Sequence, residues 1–237
     1  METPAADSST DQSEPSDAQG YMKRGNAYFD QDDYDRAIAD YDEAIRLDPS
    51  QGRYYLQRGV THLNRGDLDR AIANFSESIR LDPTYVPSTF LRGMSYDRKD
   101  DYDRAIADYD KAIRLDPSFA YAFYSRGLAH RAKGDRDRAI ADLDRVLELK
   151  PDNLDAYLDR GAIYGSKGDF DRALADFDRA VQLYPAAAEA YFYRGAAHAS
   201  RDEDDQAKTD FHRALELSDD PGLRQQAQDA LDHLGLE

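Results

Sequence analysis

A chain of 237 residues with 41% hydrophobic and 33% charged side chains holds enough apolar material for a folded body, yet its formal net charge of -17 repels phosphate backbones and anionic lipid headgroups. Nucleic acid and membrane surfaces are therefore set aside as partners, and the absence of cysteine removes disulfides, thiolate nucleophiles and the usual structural zinc sites. No apolar run approaches the roughly 20 residues of a membrane span, and METPAADSSTDQSEPSD lacks the cationic start and apolar stretch of a secretory leader, so a cytoplasmic location is expected unless a leader has been removed.

Residues 1–17 hold five acids (Glu2, Asp7, Asp11, Glu14, Asp17) with no base and no large apolar side chain after Met1. Burial cannot offset their ordering entropy, and a disordered acidic tail is expected. From Ala18 a 34-residue period takes over, marked by Arg24-Gly25, Arg58-Gly59, Arg92-Gly93, Arg126-Gly127, Arg160-Gly161 and Arg194-Gly195. A fixed period of this length marks a stacked supersecondary unit that buries its apolar face only against its neighbours. The units run 18–51, 52–85, 86–119, 120–153, 154–187 and 188–221.

Each unit divides into two amphipathic segments around a turn such as Gln31-Asp32-Asp33 or Lys133-Gly134-Asp135. Asp33, Asp67, Asp101, Asp135 and Asp169 stand where the second helix needs an N-cap, with another acid two residues on to meet the positive end of the helix dipole. The second helix is predicted to stop before Pro49, Pro83, Pro117, Pro151 or Pro185, because proline disfavours helix in the residue preceding it. The sixth unit departs from this pattern: Lys208 stands where the other five carry Ile or Leu, and Asp219 stands where proline is expected. Beyond it Leu223, Ala227, Ala230, Leu231 and Leu234 fall on one stripe, predicting a terminal helix within 222–237 that covers the last apolar face.

The units resemble tetratricopeptide repeats of the variety, similar to many bacterial examples, that places Arg before the first-helix glycine. That family's pattern of aromatic, small and alanine positions is met in the first unit by Tyr21, Gly25, Tyr28, Ala37, Tyr41, Ala44 and Pro49, and in the third by Gly93, Tyr96, Ala105, Tyr109, Ala112 and Pro117. Thr89 replaces one aromatic, and Ser78 and Val146 each replace an alanine. The resemblance implies an all-α fold, a right-handed superhelical solenoid of antiparallel helix pairs with six repeats and a terminal capping helix.

In an antiparallel pair that turns near the fifteenth repeat position, the seventh and twenty-third positions lie at one level. Arg24, Arg58, Arg92, Arg126, Arg160 and Arg194 therefore stand level with Asp40, Asn74, Asp108, Asp142, Asp176 and Asp210. A repeated charge-assisted pair is expected, within a repeat or to its neighbour, with arginines that meet a ligand as the alternative. His62, His130 and His198 share the eleventh position, but two whole repeats separate successive rings, too far for a common metal ion, so they are read as packing residues. There is no nucleophile elbow, phosphate loop or HExxH helix, and the carboxylates recur periodically as caps and solvated faces. A non-enzyme without cofactor or metal is expected.

The resemblance also implies a working surface, since in that family the second, fifth, ninth, twelfth and thirteenth positions of the first helices line the concave face. The fifth position carries Met22, Leu56, Phe90, Tyr124, Leu158 and Phe192, and the ninth Asn26, Val60, Met94, Leu128, Ala162 and Ala196. Four-residue spacing places both on one helix face, as an apolar floor for a ligand or as packing between adjacent first helices. Around it Arg53, Asn64, Asp97, Arg98 and Arg131 lean positive in the first four repeats, and Asp155, Asp159 and Glu189 lean negative further on. A bound peptide would be oriented by its own charge. Co-chaperone members of the family hold a C-terminal carboxylate with Lys, Asn and Arg; here Asn26 fits, while Met22, Gln57, Pro87 and Leu91 do not. The expected function is a non-catalytic scaffold binding an apolar, partly charged protein or peptide segment, with a self-assembling homo-oligomeric array or an accessory subunit of an enzyme complex as alternatives.

Overall fold

A computed structural model of the chain describes residues 15–235. Residues 1–14, with most of the expected disordered tail, and residues 236–237 lie outside the described residues. All regular structure among the described residues is α-helical, and the chain divides into two compact units, the first ending at Asp101 and the second beginning at Tyr102.

The first unit contains α1 (Ala18–Phe29), α2 (Tyr34–Leu47), α3 (Gly52–Asn64), α4 (Leu68–Leu81) and α5 (Val86–Asp97). Helices α1 with α2 and α3 with α4 form antiparallel hairpins; α3 also packs on α2, and α5 on α4. The second unit contains α6 (Tyr102–Leu115), α7 (Ala120–Ala132), α8 (Arg136–Leu149), α9 (Leu154–Ser166), α10 (Phe170–Leu183), α11 (Ala188–Ala199), α12 (Asp204–Leu217) and α13 (Pro221–His233). Here α6 packs on α7, three hairpins follow as α7 with α8, α9 with α10 and α11 with α12, and α13 closes against α12. Each unit is thus a stack of helix pairs.

Small residues let the paired helices approach. Ala37, Ala71, Ala173 and Ala207 are fully buried in the repeats whose core rings are Tyr41, Phe75, Phe177 and Phe211, and Ala139 is fully buried in the repeat of Leu143. A Cβ added to Gly59 would lie 2.7 Å from Cε1 of Phe75, and one added to Gly161 2.6 Å from Cε1 of Phe177, so alanine would not fit at that crossing. The two alanine departures have local compensation. Val146 stands in the repeat where Leu143 replaces the ring, trading volume between neighbouring core positions, and the Ser78 hydroxyl lies 2.7 Å from that of Ser88 across α4 and α5.

The turn inside each hairpin demands a left-handed backbone residue. Three repeats supply glycine (Gly66, Gly134, Gly168, φ 76 to 83°) and three supply aspartate (Asp32, Asp100, Asp202, φ 57 to 60°), among the side chains that tolerate this region best. Asp33, Asp135 and Asp169 then accept a hydrogen bond from the backbone N–H three residues on. Asp67 departs from its expected capping role: its side chain makes no such bond, and its carboxylate stands 3.5 Å from Nδ1 of His62. Asp17, at the end of the acidic segment, caps α1 through the Gly20 N–H at 2.7 Å.

Gly161→Ala is expected to cost about 1–3 kcal/mol by overpacking against Phe177, and Gly134→Ala, with open space around it but positive φ, about 1 kcal/mol. Urea midpoints of the two variants check both the size and the order.

Candidate functional site

The arginines at the seventh position are engaged on two sides. Within the hairpin, Nε and Nη2 of Arg24 donate to the two oxygens of Asp40 at 2.8 and 2.7 Å, and Arg194 does the same to Asp210 at 2.7 Å for both. Arg126 with Asp142 and Arg160 with Asp176 repeat the fork, with Nε donating at 2.9 Å in each. Nη1 then crosses to the second helix of the preceding repeat: Arg58 to Asp42, Arg126 to Asp110, Arg160 to Asp144 and Arg194 to Asp178. In the second repeat both carboxylates are missing. Arg58 donates to the Asn74 amide oxygen at 2.8 Å, and Arg92 reaches Ser76 Oγ at 3.1 Å.

These side chains are engaged by groups of the protein itself. The paired aspartates keep only 4 to 7% side-chain exposure, and the ring at the fourth position flanks the guanidinium, as Tyr21 does Arg24 at 5.4 Å and Phe123 does Arg126 at 5.5 Å. The hydrogen bond that Arg126 donates to Asp142 raises the pKa of Arg126 against the opposing effect of burial, and the one that Arg194 donates to Asp210 does the same for Arg194. A second ladder was not read from the sequence. The base at the fourteenth position reaches the acid near the start of the preceding repeat's second helix: Arg65 to Asp35, Lys99 to Asp69, Lys133 to Asp103, Lys167 to Asp137 and Arg201 to Asp171. The only signal available was a coincidence of period between a base and an acid 30 residues earlier.

On the other side of the first helices the apolar side chains are half-buried. In the first unit Met22, Leu56, Val60, Phe90 and Met94 are all of this kind, and Leu56 and Val60 pack onto the Leu63, Ala71 and Phe75 cluster. Asn26 Oδ1 accepts from the Tyr41 hydroxyl at 2.8 Å and from Gln57 Nε2 at 3.4 Å, joining two repeats. Asn64 and Arg98 are exposed, with Arg98 Nη1 on the Leu63 carbonyl at 3.3 Å. Asp97, half-buried on the same helix as Arg98, has its pKa raised by burial and then by Asp100.

In the second unit Tyr124, Leu128, Leu158 and Phe192 are likewise half-buried, with Phe192 5.7 Å from the Phe211 ring. The Tyr124 hydroxyl donates to Asp159 at 2.6 Å, and Arg131 pairs with the other oxygen of the same carboxylate. Arg131 and Asp159 therefore neutralise one another, and the charge asymmetry drawn from the sequence is weaker by that pair. These side chains pack between helices and keep part of their surface open. Larger exposure lies elsewhere, at Tyr85 in the first unit and at Tyr121, Tyr184 and Tyr193 in the second. No helix among the described residues is long and apolar enough to cross a membrane.

A family model described as tetratricopeptide repeat matches residues 22–86, 90–153 and 124–164, and a second of the same description matches 154–186. No curated protein sequence matches the chain. Among solved structures, MamA is 26% identical with a TM-score of 0.65, over 78% of this chain and 96% of MamA. YrrB, described as a TPR protein with an unusual peptide-binding site, is 22% identical with a TM-score of 0.66, over 80% of this chain and 97% of its own. PilF of Pseudomonas aeruginosa is 15% identical with a TM-score of 0.73, over 90% and 96% of the two chains.

Asp142→Ala leaves a mostly buried Arg126 with Asp110 alone and is expected to lower stability by about 2–3 kcal/mol. Asp137→Ala, on the exposed ladder, is expected to leave the urea midpoint unchanged. Burial lowers the pKa of His62 and of His130 below the ordinary histidine value, so the unfolded chain takes up protons first. Stability is then expected to fall as pH drops below about 6.5, and His62→Phe to flatten part of that slope. Urea midpoints at about pH 7.5 and about pH 5, above the ordinary carboxylate range, measure the difference.

Proposed function

The chain belongs to the tetratricopeptide repeat family, and from that premise we propose that it is a non-catalytic scaffold that holds a protein or peptide segment along the first-helix face of its units. The observation that carries the reading is the run of half-buried apolar side chains at the fifth and ninth positions, Leu56, Val60, Phe90 and Met94 in one unit and Tyr124, Leu128, Leu158 and Phe192 in the other. Each keeps an open edge that a ligand side chain can cover, and burial of that edge is the driving term. Polar groups beside them supply direction. Asn26 uses its carbonyl oxygen within the protein and keeps its amide donors for a backbone, and Asp155 and Glu189 are exposed acids suited to a basic residue of the segment.

A non-catalytic role is favoured because the carboxylates stand in ladders, each engaged by an arginine or lysine of the array. Peptides selected against the wild-type chain from a random library supply the ligand for a test. Tyr124→Ala or Phe90→Ala, whichever lies on the face used, is expected to weaken binding by about 2 kcal/mol with the helical spectrum retained. Selected peptides that bind both variants as tightly as wild type would refute the first-helix face.

A further inference from the structure

The outer face of α1, turned away from α2 and α3, is covered by no described helix. In later repeats the same face of a first helix lies against the second helix of the repeat before it, as α9 lies on α8. Two contacts define that pairing. Arg160 Nη1 meets Asp144, and Ile140 packs against the cluster that holds Tyr164. Ile140 and Asp144 are four residues apart, so one face of α8 presents both.

The matching groups of α1 are in place without such partners. Arg24 gives Nε and Nη2 to Asp40, while its Nη1 has no carboxylate among the described residues. Its side chain keeps 31% exposure, against 19 to 23% for Arg58, Arg126, Arg160 and Arg194. Arg36 lies over the Tyr28 ring at 4.4 Å, as Arg172 lies over Tyr164 at 4.6 Å, yet Tyr28 is half-buried where Tyr164 is buried. Ala27 is exposed, although Thr61, Ser95, Ala129, Ile163 and Ala197 at the same repeat position keep only 0 to 5%. In a chain of net charge -17, α1 carries Lys23 and Arg24 and no acid. Its N-terminal end is already closed, since Pro15 lies 2.8 Å from where a Cβ on Gly20 would stand.

We propose that this face docks an amphipathic helix of a partner protein that carries Ile or Leu four residues before Asp, as α8 presents Ile140 and Asp144 to α9. The aspartate takes the third bond of Arg24, and the apolar side chain covers Ala27 and the open side of Tyr28. A second copy does not offer this pattern. Its Ile38–Asp42, Ile106–Asp110, Ile140–Asp144 and Leu174–Asp178 pairs lie on helices already packed by the next first helix, and in α12 Lys208 and His212 stand at the two positions. Residues 1–14 hold no Ile, Leu or Val. A helix from another protein is the occupant that supplies both groups at the required spacing.

The probe is a peptide of the α8 sequence, Arg136–Leu149, held helical by a side-chain lactam away from Ile140 and Asp144 and titrated by NMR into the full isotope-labelled chain. Saturable binding with a Kd below roughly 1 mM is expected, with shifts at Lys23, Arg24 and Ala27. Peptides with Asp144→Asn or Ile140→Ala are expected to bind about tenfold more weakly. In the chain, Ala27→Glu, at an exposed helical position with little bearing on folding, is expected to weaken the probe at least about tenfold. Ala27→Ile, which supplies the side chain that Ile163 has in the fifth repeat, is expected to tighten it. No saturation, an Asp144→Asn peptide bound as tightly, or unchanged affinity in Ala27→Glu would overturn the proposal. Binding that appears only after Asp11→Asn and Glu14→Gln assigns the face to the chain's own acidic segment, and dimers by light scattering that Ala27→Glu abolishes assign it to a second copy; either result overturns the partner helix. Phe90→Ala and Tyr124→Ala are expected to keep the probe's affinity, so this face and the first-helix face succeed or fail separately.

Discussion

A guanidinium that meets its own hairpin's carboxylate through Nε and Nη2, and the preceding repeat's carboxylate through Nη1, fixes two geometries with one side chain. The fork sets the level at which first and second helices pair; the third bond sets how one pair stacks on the next. Lysine could not replace it, since a single ammonium offers no planar edge with two parallel donors. The energetic return is modest, because both partners lose water. What the arrangement secures is one register among the several that a helix with many alanines could adopt.

The position of the first-helix face depends on the same rung. Residues two apart on a helix are separated by about 200°, so anchoring the seventh position toward the second helices turns the fifth and ninth toward the other side. Leu56 and Val60 flank Arg58 in this way, and Tyr124 and Leu128 flank Arg126. The glycine at the eighth position draws the second helix in against that anchored face, which is why Tyr41 and Phe75 lie against Gly25 and Gly59. The proposed binding stripe and the arginine rung are therefore adjacent stripes of one helix.

Period, helix pairing and the arginine–aspartate level could be read from residue order because each depends on spacing along one hairpin. The lysine ladder could not, since Lys133 and Asp103 meet only once the stacking of successive repeats is known. Degree of exposure on the first-helix face was illegible for a related reason. Whether Phe192 is an anchor or a core ring turns on its 5.7 Å approach to Phe211, a matter of side-chain packing. The Asp159 carboxylate shows the limit most clearly: counted as free negative charge along the sequence, it is shared between Tyr124 and Arg131 in three dimensions. Asp67 likewise fits a cap by position and is drawn instead to a histidine that precedes the turn.

The second repeat carries the polar substitutes. Asn74 and Ser76 replace the two rung carboxylates, Ser78 and Ser88 share a buried hydroxyl bond, and the Thr89 hydroxyl is buried with no partner. In a linear array whose stability is a sum of unit and nearest-neighbour terms, unequal couplings divide the melting process. The α4–α5 contact couples its neighbours through polar substitutes where other contacts use the arginine rung, so linked cooperative blocks, rather than one all-or-none transition, are the expected form of melting. Local opening there would leave each neighbouring block with its own arginine rungs closed.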